Sequence, residues 1–456
     1  MPAVATDGLR NLFADLLRSD IISSEDSSPF YIGFGKSDLY DSNDTTTTPD
    51  RSRRGEMLAR TNLQSVKRVT EKSLVVPRYN WTSGTLYSGW DDKASGYPSN
   101  PYYVITENNE VYVCLRQGLD DNGVQVASTI IPSYNAAGVS LDKAFQTADG
   151  YVWKFLYKVG ATSAANFLSA SFVPVETVLW DSFGDSSNLS PDQLDQLTVQ
   201  QTAVQGQIVG VEVVDGGTGF VSSPTVSFLG NGTGASATAT ISNGSIVKVD
   251  MVNESAGLGS GYDFASILIS GGAGVNAELR PILGPPEGFG KDIPRDLKSS
   301  SVMLNTVTAG AENNDFIVAN DFRQITVFKD LKDPSGNNFT DVTGTALSAL
   351  VLTDSGDAST LTIDNIVIGD STASQAFINK IDGNKIYYHQ NEITGFGTFS
   401  SSEPVSENNG NGQGLISSII DGEIDRHSGS LLYLENRSRI IRSTQQQEDI
   451  KVVITL

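Results

Sequence analysis

"IVGVEVVDGGTGFVSSPTVSFLGNGTGASATATI" (208–241) is followed at once by "IVKVDMVNESAGLGSGYDFASILISGGAGVNAELRPI" (246–282). Val209, Val211 and Val213 alternate with other residues just as Val247, Val249 and Met251 do. A glycine-rich turn ending in Gly219-Phe220 matches one ending in Gly261-Tyr262. Alternation of period two marks strands, and two copies 38 residues apart predict paired β units packed face to face. Composition isolates the stretch: residues 201–290 hold 18 of the 44 glycines but only two basic residues, Lys248 and Arg280.

Most of the chain follows the same pattern. Runs such as "NPYYVITENNEVYVCLR" and "DGYVWKFLYKV" (149–159) alternate with Asn-, Asp- and Gly-rich turns. Two helical exceptions are expected. Leu9, Leu12, Phe13, Leu16 and Leu17 recur at helical spacing after Asp7, a fair N-cap, with a face suited to docking on the protein's own sheet; residues 56–69 suggest a second short helix. The expected fold is mainly β and multi-domain, with β-sandwich-like modules and a few short helices. Its segments are 1–200, a glycine-rich insertion at 201–290, 291–345, a second small β insertion at 346–420, and 421–456.

Charge and composition exclude several functions. With 456 residues the chain exceeds one ordinary core. Its net charge of −22 repels phosphate backbones, so no nucleic-acid partner is expected. Cys114 stands alone, which excludes an intrachain disulfide and a cysteine-based zinc site. No apolar run suits a signal peptide or membrane insertion, so synthesis in a cytoplasm is expected.

Candidate chemistry is sparse. "GNGTGA" (230–235) and "GLGSG" (257–261) lie between strands rather than before a helix, which favours turns over phosphate loops. His389 and His427 are the only imidazoles; Ser428 follows His427 directly, and adjacent strand residues point to opposite faces. "DSNDTTTTPD" (41–50) and "LDDNG" (119–123) lack EF-hand ligand spacing. No catalytic residue, cofactor or metal is expected.

Interaction surfaces are better candidates. In "DGYVWKFLYKV" the aromatic face is expected to be core. The loop carrying Trp81, Tyr87 and Trp90 is expected to form an interface. "RHSGSLLYLENRSRIIR" (426–442) concentrates four arginines in an acidic protein, and Leu431–Leu434 reads as a strand covered on both faces. Arg437, Arg439 and Arg442 are expected to form a basic rim for an acidic neighbour.

Five stretches resemble, in order, the gene-8 baseplate wedge protein family of T4-like contractile-tailed phages. They are "FYIGFGKSDLYDSND" (30–44), "VPRYNW" (76–81), "DGYVWKFLYKV", "FRQITVFKD" (322–330) and "RHSGSLLYLENRSRIIR". The match covers about 1–200, 290–345 and 421–456; the two insertions depart from it. The resemblance implies a non-enzymatic virion protein of the tail baseplate, a homodimer in each wedge that contacts other wedge subunits and takes part in rearrangement on host contact. A glycan-binding tail protein and, behind it, a tail glycan hydrolase are the alternatives.

Overall fold

The computed structural model describes residues 5–23, 27–176, 189–254, 256–313, 315–318 and 321–456. Strand outweighs helix, 41% against 13%, so the chain is mainly β. It divides into two compact units. One comprises Met1–Leu16, Ser73–Met303 and Thr455–Leu456, and the other Leu17–Lys72 and Leu304–Ile454.

The second unit is built on a five-stranded antiparallel sheet. Its order is Thr343–Thr345, Leu63–Arg68, Phe30–Gly35, Asp321–Lys329, Ser430–Ile441. Phe30–Gly35 lies in the middle and every residue in it is buried, which is why it reads as an unbroken apolar run. Tyr31, Leu63, Val66, Phe328 and Phe339 fill one core there. The expected helix over 56–69 ends at Thr61, because Ser52 caps Arg53–Thr61 at its start and the chain then turns into a strand. Val66 pairs with Gly33 across the sheet, and that partner overrides local helix propensity.

Ser348–Ile420 in the same unit forms a closed six-stranded barrel. Around it run Ser348–Leu352, Lys385–His389, Gln375–Asp382, Ile366–Gly369, Pro404–Glu407 and Gln413–Ile420. Leu350, Val367, Ile378, Ile386, Val405 and Ile416 fill its interior. Closure leaves no strand edge to aggregate.

In the first unit, Tyr103–Ile105, Glu110–Arg116, Val152–Lys158 and Ala144–Gln146 make a four-stranded sheet. Val152–Tyr157 is buried on both faces, not on the aromatic face alone. Lys154 is therefore buried, its Nζ donating to the Asp142 carbonyl at 2.6 Å. Burial lowers its pKa to about 8. A depressed folded pKa means a stability contribution present above the unfolded value and lost as pH falls through the folded one. Lys154→Met should thus stabilise the protein at neutral pH by about 1–3 kcal/mol, the gain shrinking as pH rises through about 8 and gone by about pH 10. Urea melts across that range check it; an equal gain at every pH would refute the charge argument.

The glycine-rich repeat also lies in the first unit. Its copies interleave rather than forming two units face to face. Thr225–Gly230 pairs with its repeat equivalent Ala265–Ser270. The outer strands exchange: Ala237–Ser242 of one copy pairs with Ser245–Met251 of the other, and Val275–Leu283 pairs with Ile208–Thr218. Val211 and Val213 close over Val226, Ala239, Ile246 and Val249 to make one shared core between two β layers. The ring ending each glycine turn covers a glycine of the other copy. Phe220 lies against Gly274, and Tyr262 against Gly232.

The helix Asp7–Ser23 forms, but Leu9, Leu12, Phe13 and Leu16 are exposed rather than docked. Ala14 and Ile21, two turns apart, carry its buried stripe instead.

Candidate functional site

His389 and His427 bear on catalysis first. His389 is buried at the end of a barrel strand. Its Nδ1 lies 2.7 Å from Asn379 Oδ1 and its Nε2 3.2 Å from Asp38 Oδ2. Asn391 donates to the same Asp38 carboxylate. Although burial acts to raise it, the hydrogen bond and charge of His389 hold the Asp38 carboxyl below its ordinary pKa. Both ring nitrogens are thus engaged, Nδ1 within the barrel and Nε2 in joining the barrel to the turn after Phe30–Gly35. His427 is held low by burial and by Arg426. Ser428 Oγ donates to the Asp425 carbonyl and accepts from the Lys332 amide, so it is committed to tying its loop to the turn at Lys332. Asp41 and Asp120 each accept backbone amides of the residues two and four on, acting as turn caps. Among the described residues no group of three or more His, Cys, Asp or Glu is placed to hold a metal. None of their helices is long and apolar enough to cross a membrane.

The basic stretch at 426–442 splits into inward and outward arginines. Arg426 is half-buried and turned inward; its guanidinium donates to the carbonyls of Thr61 and Ala346. Arg60 of the Arg53–Thr61 helix reaches the same loop, donating to the carbonyls of Ser428 (2.5 Å) and Gly429 (2.9 Å). Arg442, expected on a rim, is buried instead. It stacks on Phe316 at 5.0 Å and donates to Glu448 and the Gly310 carbonyl. The turn at Ser443–Gln446 that brings Glu448 to it was not visible in local spacing. Arg437 and Arg439 stay half-exposed, paired with Glu435 at 3.1 Å and Asp321 at 2.5 Å.

Beside them lies an arginine that sequence reasoning passed over. Arg323, 1% exposed, sits within the apolar alternation of "FRQITVF". Its Nε lies 2.8 Å from both Asp44 oxygens and its Nη1 donates to the Ser37 carbonyl at 2.5 Å. The polar turn "GKSDLYDSND" thus wraps one guanidinium. Tyr40 Oη, in the same turn, bonds the Arg323 carbonyl and the Arg437 amide, filling the bulge between two strands. Gln324 Nε2 donates to Asn436 Oδ1 at 2.8 Å, tying those strands by side chains as well. A lone basic residue in an alternating strand was the available signal.

The aromatic loop falls in the first unit. Tyr87 is 1% and Trp90 8% exposed, so neither is a surface anchor. Tyr87 packs edge-on to Trp153, and Trp90 to Phe289, with its Nε1 donating to the Leu283 carbonyl at 3.0 Å. Trp81 alone is half-buried, its Nε1 on Ser128 Oγ.

A cleft of about 530 Å³ opens beside Trp90, lined by Asp91, Arg116, Glu212, Lys248, Arg280 and Lys298. Both basic residues of the glycine-rich stretch are here. Arg280 is held three ways, by Asp91, Asp92 and Glu212 at 2.6–2.7 Å. The Arg280 guanidinium holds the Glu212 carboxyl below its ordinary pKa. Arg116 pairs with Glu254, Lys248 with Asp250, and Lys298 donates to the Ala94 and Gly96 carbonyls. These charges neutralise one another across the cleft, which fits a clamp between segments.

No family model matches the chain, and no curated protein matches it. The functional reading therefore rests on its own residues.

Proposed function

We propose that the chain is a structural subunit of the baseplate wedge of a contractile phage tail. In this reading it forms a homodimer, links neighbouring wedge proteins and takes part in the baseplate rearrangement on host contact, without catalysing a reaction. One observation carries the proposal. Three stretches that carry the family resemblance, at 30–44, 322–330 and 426–442, meet as adjacent parts of one sheet. Their polar residues interlock through Asp44–Arg323, Gln324–Asn436 and Tyr40–Arg437. A shared motif whose members brace each other supports kinship in architecture, not merely in composition. The work assigned is mechanical: interfaces with more than one packed arrangement transmit a change of shape.

The test is immuno-electron microscopy of intact tails, using antibody raised against the purified chain. Label is expected at the distal end of the tail, at the baseplate. Tails free of label, with the chain present only in the infected-cell extract, would reject the reading. Glycan binding or reducing-sugar release by the purified protein would favour the receptor or hydrolase alternatives instead.

A further inference from the structure

Ser430–Ile441 is an outermost strand of its sheet, with twelve residues. Among the described residues, its only strand partner is Asp321–Lys329. It is not covered on both faces as the run Leu431–Leu434 suggested: Leu432 is 46% and Ile441 60% exposed. Long exposed edges invite pairing with another chain unless something blocks them. Here no proline interrupts the strand. Arg437 turns its amide inward, to the Tyr40 hydroxyl in the bulge. Backbone groups alternate in direction along a strand, so those of Asn436 and Ser438 turn to the open side.

We infer that this edge pairs antiparallel with the same edge of a second copy, about a two-fold axis through Asn436, joining two five-stranded sheets into one. The sequence "LLYLENRSRII" (431–441) is complementary to its own reverse. With Asn436 opposite Asn436, Glu435 meets Arg437 twice. Leu432 meets Ile440, and Leu431 meets Ile441. Tyr433 comes opposite Arg439, placing a cation by an aromatic face. Opposite charges at the centre and apolar pairs at both ends suit a second copy better than an unrelated strand. The half-exposed Glu435–Arg437 pair within one chain would become half of a four-charge ring, shielded by the partner.

The inference rests on the homodimer reading above and names its interface. The experiment is sedimentation of the full chain at micromolar concentrations for four proteins: the natural sequence, Glu435→Arg, Arg437→Glu, and both together. Thermal melting of each guards against misfolding. The natural chain should be a dimer. Each single reversal sets like charges opposite and should weaken the dimer by about tenfold or more, while the double exchange should restore it to within about threefold. Ser438→Pro, which removes an outward amide, should also weaken it while melting stays cooperative. A dimer indifferent to all these changes overturns the edge pairing and leaves the homodimer standing. A natural chain that remains monomeric overturns both, and leaves the edge to a strand of another protein.

Discussion

Arg323→Ala should cost about 2–3 kcal/mol of stability, less than stripping one partner from a fully buried ion pair because Asp44 keeps part of its side chain in solvent. The guanidinium is the anchor for a whole polar turn. Its loss takes the guanidinium from Asp44, which keeps the Tyr40 amide as a hydrogen-bond donor in the same turn, and removes the Arg323 donor from the Ser37 carbonyl. Arg323→Lys should recover only part of the loss, since one ammonium cannot present a planar fork to Asp44 and to Ser37 together. Urea unfolding of the two variants decides it. A loss under about 1 kcal/mol for alanine would place the pair among surface bridges of little weight. The experiment also bears on the motif itself: it asks whether the arginine of "FRQITV" serves the fold before it serves any partner.

Gly274→Ala and Gly232→Ala should each destabilise the protein by about 1–3 kcal/mol, by overpacking. Neither glycine has a left-handed backbone, so conformational freedom is not what the position requires. Space is. A Cβ on Gly274 would overlap the Phe220 ring, and one on Gly232 the Tyr262 ring. The two sites are repeat equivalents, so their costs should be alike and should roughly add in the double variant. Calorimetry on the three proteins tests this. Phe220→Leu combined with Gly274→Ala should recover part of the loss, because a smaller side chain makes room. If only one glycine proved sensitive, the reciprocal packing of the copies would be wrong.

Strand content was legible because alternation and turn residues act locally. Strand partnership was not. Val209 and Val247 announce equivalent strands, yet nothing in their spacing says that each pairs with the last strand of the other copy. The same limit explains the burial errors. Trp90 and Tyr87 look like loop aromatics until Phe289 and Trp153 arrive from distant sequence. Arg442 looks like the end of a basic rim until Phe316 and Glu448 enclose it. Leu431–Leu434 reads as central because an apolar run is the mark of a covered strand, and an edge awaiting a partner carries the same mark. Arg323 was hidden by the opposite effect: a charge in an alternating strand reads as solvent-facing, and only the turn at 37–44 makes it internal.

The register of the repeat sets Ile208 opposite Leu283, and that of the barrel sets Ala349 opposite Ile420. In each case the chain leaves beside the place where it came in. A stretch of DNA coding for either piece could therefore be deleted, duplicated or traded for a foreign one, with only a short join needed to restore the host strands. Related genomes carrying different pieces at these two junctions would then keep one framework of host strands while changing what is set into it.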